Sequence, residues 1–220
     1  MGSEFQAAGR SYEVFDEYCS AYDEWYVRNR YVWLSECLCL KSLGISGLVL
    51  DVGVGTGAFR KCMYGTVVGV DPALKPLALA AERGVIPVSA FGEYLPFRDG
   101  VFDWTILVVT ICFLSDPLKT LQEAHRVLRS GGCIAVCFVP RESEWGRYYA
   151  MKAWRGESVF YKHARFYSVR EMLYLLSSAG FRFMGFTSTL CRDPRSPPAL
   201  EHPSRDTWGC GFVCVKGVKP

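Results

Sequence analysis

The 220-residue sequence has no apolar run of the roughly 18 residues that a membrane helix needs. It also begins without the basic-then-apolar pattern of a secretion signal. Its ten cysteines include no CxxC pair and no cysteine–histidine cluster with zinc spacing, and it has only three histidines. We therefore expect a cytoplasmic protein without a membrane span or a metal site.

The sequence also has little net charge: 25 basic and 22 acidic residues leave an excess of +3. That balance is too weak to indicate a nucleic-acid or membrane partner. Half of the residues are hydrophobic and 15% are aromatic, which excludes intrinsic disorder. Met1–Phe5 read as the remnant of an expression vector. We expect residues 1–10 to be a disordered tag remnant and residues 11–220 to form a single domain.

Most of the cysteines lie inside apolar stretches. A buried free cysteine behaves as a small hydrophobic side chain, so we interpret these residues as part of the core. Whether any of them pair stays open at this point. The cysteines in apolar stretches are Cys62, Cys112, Cys133, Cys137, Cys210 and Cys214.

Short runs rich in β-branched residues alternate with stretches of helical periodicity. The runs cover residues 48–52, 66–70, 104–109 and 133–139, and the helical stretches cover 74–83, 117–128 and 169–179. Nearly all-apolar strands are typical of a parallel sheet that is buried on both faces. The alternation therefore predicts an α/β sheet with helices packed against it.

The two ends of the chain depart from this alternation. Residues 11–43 carry apolar side chains at helical spacing, which predicts one or two amphipathic helices. Near the C-terminus, the runs 181–189 and 208–216 are joined by a proline-rich connector and no helix. Two strands joined in this way are most simply antiparallel.

The strongest functional signal is DVGVGTGAF, residues 51–59, which follows the first predicted strand and precedes a predicted helix. Gly53, Gly55 and Gly57 allow a tight turn and let a ligand lie against the backbone. The helix would add a positive N-terminal end. Asp71 ends the second predicted strand, where a carboxylate can accept hydrogen bonds from both hydroxyls of a ribose.

Two classes of cofactor compete for this loop. Gly53, Gly55 and Ala58 also fit the GxGxxA pattern that binds nicotinamide and flavin dinucleotides. Asp51 favours the other class, because a carboxylate repels a pyrophosphate and attracts the cationic methionyl group of S-adenosylmethionine. The spacing D-x-G-x-G-x-G resembles that of the class I S-adenosylmethionine-dependent methyltransferases.

The resemblance extends from about residue 12 to residue 215. GEYLPFRDGVFD, residues 92–103, and DPLKTLQEAHRVLRSGG, residues 116–132, are similar to segments of the ubiquinone-type and related small-molecule methyltransferases. Residues 108–117, 140–149 and 160–181 resemble a narrower archaeal and bacterial group, one member of which is provisionally described as a histamine N-methyltransferase. The resemblance implies a Rossmann-like, seven-stranded, mostly parallel sheet with a C-terminal antiparallel strand, helices on both faces and an N-terminal helical cap.

The same resemblance implies which residues bind the cofactor, S-adenosylmethionine. The glycine loop would surround its methionine and ribose parts, and Gly92 and Glu93 would lie beside the adenine. Phe91 stands where many relatives have an aspartate, so that an aromatic ring would stack there instead of accepting a hydrogen bond. The implied set is Asp51, Gly53, Gly55, Thr56, Gly57, Asp71, Pro72, Phe91, Gly92, Glu93 and Val108.

Methyl transfer is an in-line displacement that needs proximity and alignment more than a dedicated catalytic group. The acceptor should bind outside the C-terminal strand ends, beneath lid segments at residues 11–43 and 141–167. Aromatic walls suit a cationic amine or a flat ring, although the same rings can simply pack a lid. The candidate pocket residues are Tyr22, Trp25, Tyr26, Trp145, Tyr149 and Phe166, and His163 is the candidate general base.

We favour transfer to a small-molecule amine, hydroxyl or thiol. Methylation of RNA or protein is the alternative, since seven basic residues face three acidic ones between residues 141 and 170. No RNA-binding module or NPPY-like motif accompanies them, so we expect no nucleic-acid partner. A third alternative is a catalytically silent subunit that binds the cofactor. The number of subunits stays open.

Overall fold

The computed structural model describes residues 11–220, and none of the helices within that range could span a membrane. From residue 11 onward, the N-terminal cap has three helices rather than one or two: α1 (Ser11–Glu17), α2 (Cys19–Arg28) and α3 (Arg30–Ser42). The expectation for residues 1–10 concerns a segment outside the described part of the chain.

The remaining elements form a seven-stranded sheet with helices between the strands. The strands are β1 (Leu48–Val52), β2 (Thr66–Val70), β3 (Ile86–Val88), β4 (Phe102–Val108), β5 (Leu128–Phe138), β6 (Arg182–Thr189) and β7 (Phe212–Val218). The helices are α4 (Leu74–Glu82), α5 (Pro117–Val127), α6 (Glu144–Trp154) and α7 (Val169–Ser178).

The strand order is β3-β2-β1-β4-β5-β7-β6. Strands β1 to β5 pair in parallel, and β7 runs antiparallel between β5 and β6. This confirms the mostly parallel sheet with an antiparallel C-terminal strand. Because successive side chains of a strand point to opposite faces, Val49 and Ile106 pack in the core beneath α3 and α4, while Leu50 and Leu107 pack beneath α5 and α7.

Two features of the sheet were not anticipated. Strand β3 is only three residues long, contains Pro87 and pairs with β2 alone, so its sequence lacks the apolar run of the inner strands. The α-helix expected after the glycine loop is absent, and a three-residue 3₁₀ helix, Arg60–Cys62, takes its place. The Arg60 guanidinium donates to the carbonyls of Met63, Gly65 and Gly84, which closes this short connection.

Local sequence signals set the beginnings of the later helices. The Asp116 carboxylate accepts a hydrogen bond from the Lys119 N–H at the start of α5, and Pro117 occupies the first position of that helix. Helix α7 begins with a reciprocal capping box formed by Ser168 and Glu171. These caps explain why the predicted and observed starts agree.

The cysteines serve a second role besides filling the core. Four of the six assigned to the core on sequence grounds form disulfides, and only Cys112 and Cys133 of that group are free. The disulfides are Cys37–Cys62, Cys137–Cys214 and Cys191–Cys210. Cys137 and Cys214 face each other in register on β5 and β7. Pairing depends on such contacts between distant segments, which cysteine spacing alone does not reveal.

Arg126, near the end of α5, organises the segment that leads from β3 to β4. Its guanidinium donates to the carbonyl oxygens of Leu95 and Phe97 at 3.0 and 2.8 Å. It also forms ion pairs with Asp99 and Glu123, each with an N–O distance of 2.7 Å. One side chain therefore ties this loop to α5.

We expect Arg126→Ala to lower the free energy of unfolding by about 2 kcal/mol, because it leaves several charge-assisted hydrogen bonds unmade. Arg129→Ala is the matched control, since Arg129 is exposed and forms one ion pair, with Asp103. Its loss should cost less than about 1 kcal/mol. Urea unfolding measures both, and equal effects would contradict the assigned role of Arg126.

Candidate active site

The glycine loop turns sharply where β1 ends. Gly53, Gly55 and Gly57 have φ angles of +73°, +52° and +71°, in the left-handed region that glycine adopts without strain. The N–H groups of Gly53 and Val54 both donate to the Val70 carbonyl, at 2.7 and 3.1 Å. A side chain at Gly53 would also overlap that of Thr110. The predicted tight turn is thus present and is bonded to the end of β2.

Asp71 lies at that end of β2 and faces the loop. One oxygen of its carboxylate accepts from the Gly55 N–H at 2.8 Å, and the other accepts from the Ala73 N–H at 2.9 Å. Burial raises the pKa of Asp71 to about 6, although the two N–H groups oppose the shift. The carboxylate is therefore held in one orientation next to the glycine loop.

Asp51 is 4% exposed and is the second buried carboxyl group of this region. Burial, together with the negative charge of Asp71, raises the pKa of Asp51 to about 8. No hydrogen bond or basic side chain from the described residues counters that shift. The site therefore favours a ligand that brings positive charge to Asp51.

Three contiguous spaces lie around these residues. A cavity of about 100 Å³ runs along Asp71 and Phe91, and we call it the first cavity. A small space of about 10 Å³ lies beside Asp51 and Thr56. The second cavity, of about 360 Å³, lies beneath the lid segments. The two larger cavities share four wall residues: Phe15, Tyr22, Val109 and Phe113.

The N-terminal helices close over these spaces through specific contacts. The Arg83 guanidinium binds both carboxylate oxygens of Asp23 on α2, at 2.6 and 2.7 Å, and also donates to the Thr56 carbonyl. On α1, the Ser11 hydroxyl donates to the carbonyl of Phe113. These contacts link the cap both to the glycine loop and to the segment after β4.

Val109 marks the junction of the two larger cavities. Its φ of +55° is an outlier for a β-branched residue, and such strain is concentrated at functional sites. Its N–H donates to the Cys137 carbonyl at 2.8 Å, which helps hold the strained conformation. In this conformation Val109 lines both cavities.

Comparisons with known proteins identify the family. Residues 50–136 match the family model described as a methyltransferase domain. A solved structure from Thermotoga maritima, described as an S-adenosylmethionine-dependent methyltransferase and possible histamine N-methyltransferase, is 34% identical, with a TM-score of 0.88, and the match covers 96% of this chain and 100% of that one. The chain belongs to the S-adenosylmethionine-dependent methyltransferases.

Uncharacterized proteins of other organisms are similar to this methyltransferase over nearly its whole length. One from Methanocaldococcus jannaschii is 36% identical over 94% of this chain and 98% of its own. Another from Mycobacterium tuberculosis is 34% identical over 96% of this chain and 73% of its own.

The residues present fit S-adenosylmethionine, the cofactor of this family. Asp51 supplies a buried carboxyl group that is negative when ionised and could pair with a cationic group. The Thr56 hydroxyl beside it is buried without a hydrogen-bond partner among the described residues. Asp71 is oriented toward the first cavity by two N–H groups. Hydroxyl and ammonium donors would satisfy all three groups.

The structure brings most of the predicted cofactor residues together. Those along the first cavity are Gly53, Gly55, Asp71, Pro72, Phe91, Gly92, Glu93 and Val108, and those along the small space include Asp51 and Thr56. Gly57 lines none of these spaces and instead allows the loop to pack closely against Ala80. Binding by each residue stays a prediction, whereas their common location is observed.

Five of the six predicted acceptor-pocket residues line the second cavity, namely Tyr22, Trp25, Tyr26, Tyr149 and Phe166. Trp145 does not, because its indole N–H donates to the Arg192 carbonyl and its ring packs against Gly211, on the side of the proline-rich connector. The role of His163 as a general base stays a prediction. Its neighbours in the same 3₁₀ turn, Tyr161 and Ala164, line the cavity, and His163 lines neither larger cavity.

One charged residue of the second cavity, Glu36, was not predicted from the sequence. It lies on α3, is 5% exposed, and belongs to the otherwise mostly apolar run WLSECLCL, residues 33–40. A single acidic residue within such a run is the signal that could have found it. The cavity-lining rings of Phe15, Phe113 and Phe160 are likewise not among the six candidate pocket residues.

Asp51 should make the cofactor-free methyltransferase less stable as the pH rises. Between about pH 4 and pH 8 the folded protein keeps a proton on Asp51 that the unfolded chain has lost, so the free energy of unfolding falls. We expect Asp51→Asn to gain up to about 4 kcal/mol more over the parent at pH 8 than at pH 5, since one pKa unit is about 1.4 kcal/mol.

Urea unfolding without cofactor at the two pH values measures this difference. Asp193→Asn is the control, because Asp193 is exposed and Arg195 keeps its pKa below the usual value, outside this pH range. Parallel pH profiles for Asp51→Asn and the parent protein would show that Asp51 is not a buried, unpaired carboxyl.

Proposed function

We propose that this methyltransferase transfers the methyl group of S-adenosylmethionine to a small molecule bound in the second cavity. The observation that carries the proposal is an aromatic cavity of about 360 Å³ that shares walls with the first cavity. Sites for small ligands typically have volumes of about 300–1,000 Å³ and mostly apolar walls with a few polar groups. The second cavity agrees on each count.

The lid supports a small acceptor because it encloses the cavity with interlocking rings. The Phe15 ring lies 5.0 Å from that of Phe113 and 5.2 Å from that of Phe160. Phe160 in turn contacts Tyr18 and Tyr22, so residues from both lid segments meet above the cavity. A covered site of this kind excludes water and holds two small reactants together, whereas a polymer needs an open groove.

The basic residues of the 141–170 segment do not favour RNA. Three of the seven form ion pairs with nearby carboxylates, which reduces the charge available to phosphates. The pairs are Arg141–Glu171, Arg147–Glu144 and Arg155–Glu157. Lys152 adds a cation–π contact with the Tyr148 ring at 4.7 Å. The charge excess found in the sequence is therefore better explained as a partly neutralised surface.

The chemistry requires little from the protein beyond placement. S-adenosylmethionine supplies an electrophilic methyl group on a sulfonium. Tyr22 and Val109 border both larger cavities and would position the acceptor at their junction. An acceptor nitrogen, oxygen or sulfur would fit this scheme. The description of the Thermotoga maritima relative as a possible histamine N-methyltransferase adds a nitrogen acceptor as one case to test.

The cofactor site can be tested by thermal unfolding. We expect S-adenosylmethionine and its demethylated product to raise the Tm, since a ligand at 100 times its Kd stabilises the fold by about 2.7 kcal/mol. Asp71→Ala should remove most of the shift because it deletes the oriented carboxylate, while Asp193→Ala should retain it. The absence of a shift at millimolar ligand with the parent protein would overturn the assignment of the site.

The acceptor can be tested by transfer of labelled methyl groups into pools of amines, phenols, thiols, RNA and protein. We expect label only in small molecules. Ala164→Phe should lower that transfer at least about 10-fold by filling part of the second cavity, and the Tm shift with cofactor should remain.

Ala199→Phe, on the proline-rich connector, controls for the added ring. Label confined to RNA or protein would contradict a small acceptor. Cofactor binding without transfer to any pool would favour the catalytically silent subunit.

A further inference from the structure

Glu36 is the buried charged group in the wall of the second cavity. The residue is 5% exposed, and no hydrogen bond or basic side chain among the described residues counters the effect of burial on its carboxyl group. The other charged wall residues are Arg28, Lys152 and Glu157, none of which is buried. Arg28 pairs with Glu24 in an exposed contact. Among the described wall residues, the cavity therefore has one buried carboxyl group, which has no partner and is negative when ionised.

Aromatic rings with hydroxyl groups accompany this carboxyl group in the cavity wall. Tyr22 and Tyr26 share a hydrogen bond of 2.7 Å, and the rings of Tyr149 and Tyr161 lie 4.3 Å apart. Burial is the main cause that raises the pKa of all four phenols above the usual value, so they remain neutral at physiological pH. Neutral tyrosine rings around a carboxylate are a favourable environment for an organic cation.

A buried carboxylate without a partner is costly, so a wall of this kind is stabilised by an occupant that brings positive charge and N–H donors. An alcohol or thiol would supply one weak donor and no charge. A carboxylate or phosphate ester would be repelled. Of an amine, a hydroxyl and a thiol, only an amine can become a cation that pairs with the Glu36 carboxylate and also contacts the faces of the aromatic rings.

We propose that Glu36 binds the methyl acceptor and that the acceptor is a small organic amine, which enters the second cavity as an ammonium ion. The inference rests on the proposed function and narrows its substrate class. Glu36 is then a specificity-determining residue, and it also accepts the proton that the ammonium must lose before its nitrogen can attack.

The transfer conserves atoms and charge. The ammonium R–NH₃⁺ gives one proton to the Glu36 carboxylate and becomes R–NH₂. Its lone pair forms a bond to the methyl carbon while the carbon–sulfur bond breaks and leaves its electron pair on sulfur. The products are R–NH₂–CH₃⁺ and S-adenosylhomocysteine. The proton on Glu36 passes to solvent when the product leaves.

The first test measures binding rather than turnover. Calorimetry in the presence of S-adenosylhomocysteine would compare benzylamine and 2-phenylethylamine with benzyl alcohol and 2-phenylethanol, which have nearly the same shape. We expect the amines to bind the parent protein at least about 10-fold more tightly than the alcohols. Glu36→Gln, which keeps the size of the side chain, should abolish that preference.

Glu82→Gln is the matched control, because Glu82 is exposed at the end of α4. It should leave the preference unchanged. A Tm and a cofactor shift equal to or above those of the parent would show that Glu36→Gln is folded. Equal binding of amines and alcohols by the parent, or an undiminished preference in Glu36→Gln, would overturn the inference.

The pH dependence of amine binding distinguishes direct binding by Glu36 from a purely structural role of Glu36. Burial raises the pKa of Glu36 to about 8, so its carboxylate forms as the pH rises from 6 to 8 while benzylamine stays cationic. We expect the affinity of the parent protein to rise over this range and that of Glu36→Gln to stay flat. The tyrosines Tyr22, Tyr26, Tyr149 and Tyr161 do not titrate in this window, and Arg28, Lys152 and Glu157 are common to both proteins.

Transfer of labelled methyl groups separates the failure of this inference from that of the proposed function. Label in amines, reduced at least about 30-fold by Glu36→Gln and partly restored by Glu36→Asp, is the expected result. Label only in phenols or thiols would overturn the amine assignment and leave the proposed function standing. If no small molecule were labelled, both the proposed function and the amine inference would be wrong.

Discussion

Buried carboxyl groups with no basic side chain beside them are the constraint on which this structure depends. Asp51, Asp71 and Glu36 lie around contiguous cavities, and burial raises the pKa of each carboxyl group. Only Asp71 is compensated by hydrogen bonds, which come from two backbone N–H groups. A folded protein tolerates such groups at a cost to stability, so they are most readily understood as sites for cationic ligands.

Helix α3 of the N-terminal cap packs where an α-helix was predicted to follow the glycine loop. With no α-helix after the glycine loop, α3 packs against the short 3₁₀ connection and contributes Val32 and Leu40 to the core on that face of the sheet. The same helix carries Glu36 into the second cavity. Helix α2 adds Tyr22 and Tyr26 and is bound to the body of the protein through Asp23 and Arg83. The cap is thus part of the core and part of the site at once.

Residues of the cap form part of the walls of both larger cavities. Phe15, Tyr22 and Phe113 each border both larger cavities, and the Phe15 ring contacts the other two. The strained backbone at Val109 lies at the same junction, where the segment after β4 is held by a hydrogen bond to Cys137 on β5.

The sequence by itself determined the inner strands, the caps of the later helices and the glycine loop with Asp51 and Asp71. These features follow from short-range rules, since apolar runs, capping residues and positive-φ glycines act within a few positions of the chain. Only the tertiary structure decided which cysteines pair, that Trp145 faces the proline-rich connector, and that Glu36 enters a cavity. Each of these outcomes depends on which distant segments pack together, and local periodicity carries no information about that packing.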